Sequence, residues 1–163
     1  MKQSIYSLLI LVILTVTSCS SDTPLGPDDI TEFREVYHYE ISDSVVSADT
    51  HEITLNMTGE NLPKDWTIWD FKLWNGKKIP DNIDQYTMNW ERPTDKDVFY
   101  SDDKVGVDWI TFEKQLTSTS PVLKIQVKQN DSDEARGAML VFANRDGVIV
   151  NYGAVMIVQK PKP

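Results

Sequence analysis

Apolar and polar residues alternate with a period of two along much of this chain. In His51-Glu52-Ile53-Thr54-Leu55-Asn56-Met57, the residues Ile53, Leu55 and Met57 fall on one face of an extended segment. Leu123, Ile125 and Val127 alternate with Lys124, Gln126 and Lys128 in the same way. Glu35-Val36-Tyr37-His38-Tyr39-Glu40-Ile41 opens as a strand rich in β-formers. Toward the end, Ala138-Met139-Leu140-Val141-Phe142 and Val148-Ile149-Val150 flank Asn144-Arg145-Asp146-Gly147, where Asp-Gly supplies the positive backbone angles of a tight hairpin. A last strand, Ala154-Val155-Met156-Ile157-Val158-Gln159, ends before Pro161 and Pro163, which donate no ladder hydrogen bond. No long segment carries the 3.6-residue period of a helix. Short strands separated by turn residues predict an all-β chain folded as an antiparallel β-sandwich.

The segment from about Asp70 to Val107 is long for a connection in such a sandwich, and predicts an inserted loop or hairpin. Four of the five tryptophans, Trp66, Trp69, Trp74 and Trp90, lie in or just before it. Trp69, Phe71 and Leu73 share one face of a strand, which predicts that all three are buried. Trp74 shares the other face with Asp70 and Lys72 and precedes Asn75-Gly76, a tight-turn signal; it is either an exposed ring or packed at an edge. Tyr86, Met88 and Trp90 form an apolar stripe that either packs on the sandwich or presents a ligand surface.

The first residues read differently. Lys2, an apolar run from Ile5 to Val16, and the small residues Thr17 and Ser18 have the layout of a secretory signal peptide over 1–18. The run is short of the roughly 20 apolar residues that a spanning helix needs. Val16-Thr17-Ser18-Cys19 resembles the lipobox of bacterial lipoproteins, and that resemblance implies cleavage before Cys19 and acylation of Cys19, the only cysteine. Several acyl chains, each buried CH₂ contributing about 0.8 kcal/mol, make a lasting membrane anchor. Residues 19–30, with two prolines, one glycine and no aromatic, form a flexible tether, leaving 31–163 as one domain. Asp22, soon after the cysteine, resembles the surface-export signal of some gut bacterial lipoproteins.

Net charge is −9, and a leader whose only charge is Lys2 leaves the mature chain one unit more negative. With no Lys/Arg cluster to offset it, nucleic acid is disfavoured as a partner. Asn130-Asp131-Ser132-Asp133-Glu134 and the group Asp95, Asp97, Asp102 and Asp103 supply oxygen ligands. Neither has the spaced ligands and glycine of a calcium loop, so the expectation is solvated loops, no metal and no cofactor. The two histidines, His38 and His51, both fall on expected strands. No nucleophile elbow, metal-binding histidine pair or phosphate-cradling loop accompanies them, which points away from an enzyme.

Several short motifs are similar to the BACON-domain family. They are Val46-Ser47-Ala48-Asp49-Thr50-His51-Glu52-Ile53-Thr54-Leu55, Trp66-Thr67-Ile68, Asp108-Trp109-Ile110, Leu123-Lys124-Ile125-Gln126-Val127 leading to Asn130, Arg136-Gly137-Ala138, and Val155-Met156-Ile157-Val158-Gln159. The resemblance implies an immunoglobulin-like sandwich over roughly 33–160, with Trp66 and Trp109 as core residues. It also implies a role in binding carbohydrate, including mucin glycans. Large aromatics with polar neighbours are the usual platform for a sugar ring. The expected binding residues are therefore Trp74, Tyr86 and Trp90, with Lys77 and Asp81 as hydrogen-bonding groups. The expected protein is an outer-membrane lipoprotein, on the periplasmic or, preferentially, the surface face, that binds a polysaccharide or mucin glycan without catalysis. The alternative is an accessory subunit that holds a partner envelope protein through the Tyr86-Met88-Trp90 stripe.

Overall fold

A computed structural model describes residues 32–41, 44–59, 61–86, 88–94 and 96–163. The leader, Cys19, the tether and Asp95 lie outside the described residues. Among those described there are eleven strands and no helix. In chain order they are β1 (Glu32–Glu35), β2 (His38–Tyr39), β3 (Val45–Val46), β4 (His51–Thr58), β5 (Thr67–Gly76) and β6 (Phe99–Tyr100). The remainder are β7 (Lys104–Val107), β8 (Ile110–Gln115), β9 (Val122–Val127), β10 (Ala135–Asp146) and β11 (Ile149–Gln159). One sheet has the order β1-β11-β10-β5, with β3 on the same edge of β11 as β1; the other runs β2-β4-β9-β8-β7-β6. All pairings are antiparallel except those of β1 and β3 with β11, and the two sheets face each other as a β-sandwich.

Alternation decides what fills the space between them. Leu55, Phe112, Leu123 and Ile125 point inward from the six-stranded sheet, and Phe71, Leu140, Phe142 and Ile157 from the other. Burying each such side chain stabilises the fold by roughly 1.5–3 kcal/mol. Trp66, Tyr39 and Phe142 form an aromatic cluster at one end of the core. There the Trp66 indole N–H donates to the Tyr39 hydroxyl at 2.9 Å, and that hydroxyl donates to the Pro121 carbonyl at 3.0 Å. Trp66 is buried as expected, whereas Trp109 is half-buried at the rim, beneath the Arg136 guanidinium at 4.3 Å from its ring centre.

Several local expectations are corrected. The segment 35–41 is not one strand: β1 ends at Glu35, and the chain crosses between sheets at Val36-Tyr37 before β2 begins. The crossing runs against Gly153, where a Cβ would overlap the Tyr37 carbonyl oxygen, so only glycine lets β11 continue unbroken from Ile149 to Gln159 where two strands were expected. Asn75-Gly76 is not a turn: both residues still pair in β5, opposite Arg136 and Ala135, because β10 is long enough to extend the ladder. The hairpin lies in the expected stretch but one residue later than the Asp-Gly signal implies: Asp146 still pairs with Ile149, Gly147 and Val148 make the turn, and only Gly147 has a positive φ, 59°.

A further correction concerns Trp69. Opposite Val141 and Phe142 the β5 ladder shifts by one, pairing Asp70 with Val141 and Ile68 with Phe142 and leaving Trp69 as the extra residue of a β-bulge. Ile68, Phe71 and Leu73 therefore face the core, while Trp69 is 49% exposed on the outside of the sheet.

Polar groups close one end of the sandwich. Gln159, fully buried, donates its amide to the carbonyls of Ala48, Asp49 and Lys128 and accepts from Arg136 Nε. Asn130, also fully buried, donates to the carbonyls of Glu134 and Lys160 and accepts from the Ser132 amide. The acidic run 130–134 is thus a loop organised from within by Asn130, with Asp131 paired to Lys162. Among the described residues no three acidic or histidine side chains are grouped as metal ligands.

Candidate functional site

The outer face of the five-stranded sheet carries a patch of aromatic rings. On β1, Phe33 sits opposite Val150 of β11, and Glu35 opposite Tyr152, so all four share the outward side. The bulge in β5 aims Trp69 across the same side, and its ring meets Phe33 edge-to-face with centroids 6.3 Å apart at 77°. Phe33 is 58% exposed. With Val141, Val150 and Tyr152 the two rings line an open groove of about 230 Å³.

One rim of the groove is polar. The Tyr86 hydroxyl lies 3.3 Å from the Tyr152 hydroxyl and donates to Glu35 Oε2 at 3.2 Å, and Gln85 Nε2 donates to the same oxygen at 3.0 Å. The Tyr152 hydrogen bond, lost hydration and the Glu35 carboxylate together push the Tyr86 phenol up to about 12, so it stays a neutral hydrogen-bonding group through the physiological range. The arrangement sets apolar ring faces beside hydroxyl, amide and carboxylate groups.

The described residues of the stretch after β5, 77–86 and 88–94, fold over the rest of this face. Met139 and Val158 point outward by alternation yet are almost fully buried, and neither belongs to the inner core. Trp90 lies on Gly137, its ring 3.3 Å from where a Cβ would stand, and its indole N–H donates to the Asp84 carbonyl at 2.9 Å. Met88 is buried. Of the stripe Tyr86, Met88 and Trp90, two residues serve as the underside of this covering loop and only Tyr86, 75% exposed, presents its ring to solvent.

The free edge of β5 is also occupied. Leu73 and Glu91 exchange two backbone hydrogen bonds of 2.8 and 2.9 Å. Arg92 grips Asp70 through Nε at 2.9 Å and Nη2 at 3.0 Å, with Lys72 3.4 Å from the same carboxylate. Tyr100 donates its hydroxyl to the Ile68 carbonyl at 2.8 Å. These contacts block pairing of the edge with another strand. Trp74 folds its ring over Gly76 and forms one wall of an open polar groove of about 530 Å³ with Asn89, Glu91 and Arg92.

The expected binding residues are thereby divided. Tyr86 stands at the Phe33–Trp69 groove, Trp74 lines a groove at the β5 edge, and Trp90 lies between them with its N–H already engaged. Lys77 and Asp81 are exposed and line neither groove. Phe33, Trp69 and Tyr152 were not among the expected residues. A signal for Trp69 exists in the sequence: the inward residues Ile68, Phe71 and Leu73 are spaced three and then two apart, and the odd step marks a bulge.

No family model matches the chain, and no curated protein matches it. An NMR structure of a protein from Bacteroides thetaiotaomicron is similar to it with a TM-score of 0.43 and 13% identity, over 85% of this chain and 95% of that one.

Proposed function

We propose that this protein is a non-catalytic lipoprotein, anchored through Cys19 in the outer membrane and facing the cell surface, that binds carbohydrate on the outer face of its five-stranded sheet. The observation that supports it is the exposed Phe33–Trp69 pair with the Tyr86–Tyr152–Glu35 rim beside it. A pyranose ring offers an apolar C–H face and equatorial hydroxyls, and it would lay the first on Trp69 while the rim takes the second. Contiguous exposed apolar side chains rimmed by polar groups are a common mark of a binding surface.

The same groove has an apolar floor of Val141 and Val150, which also suits a protein surface, so an accessory role in an envelope complex is the second reading. Affinity electrophoresis of the soluble domain through gels containing neutral plant, fungal and host-type polysaccharides separates the two. Retardation by at least one polysaccharide, abolished in Trp69→Ala, supports carbohydrate binding. No retardation across the panel, with co-purification of an envelope protein that Trp69→Ala loses, supports the accessory role.

A further inference from the structure

We infer that the ligand is an extended stretch of neutral polysaccharide, held along a continuous track from the Phe33–Trp69 groove down the edge of β5 to Trp74. This deepens the carbohydrate-binding reading and rests on it. The track follows from shared walls. Trp69 closes both the outer groove and an adjoining one of about 390 Å³, and Arg92 with Pro93 closes both that groove and the polar groove at Trp74. Each of the three sections carries an aromatic ring: Trp69, then Tyr100 at 63% exposed, then Trp74. Five strand steps separate Trp69 from Trp74, about 16 Å at 3.2–3.4 Å per residue, longer than one sugar ring.

The track is held in shape without ligand. Tyr100 is fixed by its bond to the Ile68 carbonyl, Arg92 by its paired bonds to Asp70, and Trp74 by its seat on Gly76. Fixed walls lower the ordering cost of binding a long ligand. None of the three sections is an enclosed cavity, so the track takes an internal stretch of chain and does not select for a terminus.

Charge selects the class. Arg92 and Lys72 both pair with Asp70, while the carboxylates of Glu35, Glu91 and Asp97 lie along the rims of a protein with net charge −9. Sulfated or sialylated chains meet repulsion there, and a neutral chain does not.

The test uses the folded domain and a disaccharide-to-octasaccharide ladder cut from whichever neutral polysaccharide retards it, read by isothermal titration. Affinity should rise with length and then level off. Trp74→Ala should weaken the longest oligosaccharide by about fivefold or more while leaving the shortest one that binds unchanged, which also shows that the variant is folded. Affinity independent of length, or an unchanged long ligand in Trp74→Ala, would overturn the track while leaving Trp69-dependent binding intact. Preference for sulfated over neutral polysaccharide would overturn the charge argument. Failure of the wild type to bind any polysaccharide would remove the carbohydrate reading itself.

Discussion

Phe33 and Trp69 meet edge-on at 6.3 Å although they belong to strands at opposite sides of the five-stranded sheet. Both remain about half exposed, so their pairing contributes little to the core and leaves ring faces open to a ligand. Trp66 is the opposite case, 1% exposed with its N–H bonded to Tyr39. In chemical denaturation, Trp66→Ala should lose about 3–5 kcal/mol. Phe33→Ala and Trp69→Ala should each lose about 1 kcal/mol or less. Comparable losses for all three would mean that the outer pair is structural.

Gln159 ties three carbonyls and Arg136 together at the closed end of the sandwich. Gln159→Leu keeps the volume but orphans those groups, and should cost more than about 2 kcal/mol in equilibrium unfolding. A near-neutral result would show that water replaces the amide.

Lys114 is buried, with its ammonium 2.7 Å from Asp65, 3.1 Å from Asp103 and 2.8 Å from the Trp66 carbonyl. Burial alone would lower its pKa, but hydrogen bonds to Asp65 and Asp103 outweigh that and hold it above the ordinary lysine range. A basic group with a raised folded-state pKa stabilises fully below its unfolded value, about 10.4, and loses that contribution as pH rises through the folded value. Wild-type stability should therefore fall on going alkaline past that unfolded value, and Lys114→Met should show a flatter profile in urea titrations at successive pH. Parallel profiles would contradict the assigned role.

Cys19 to Ile30 would form a leash between membrane and sandwich. In fractionated cells, Cys19→Ala should move the protein out of the membrane fraction while the melting temperature of its domain stays unchanged. Unchanged fractionation would remove the anchor from the account.

The two-residue pattern made the sandwich legible because both sheets bury one face, as at Leu55 and Met57 or Ile125 and Val127. It misplaced Trp69 because a single extra residue inverts the faces on one side of a bulge, and alternation read locally carries no sign of that insertion unless the spacing of Ile68, Phe71 and Leu73 is followed. The Phe33–Trp69 pairing was not legible at all: it needs β1 to lie parallel to β11, a long-range choice that no short segment encodes. Tyr86 was legible as a candidate, whereas Trp90 was claimed by packing on Gly137, a contact visible only once the loop after β5 lies across the sheet.

The most direct test of the central claim is a comparison of polysaccharide affinity among wild type, Trp69→Ala and Phe33→Ala at matched stability. Binding by the wild type that falls about tenfold or more in Trp69→Ala and by a smaller factor in Phe33→Ala is the expected result. Equal affinity in all three proteins would contradict it.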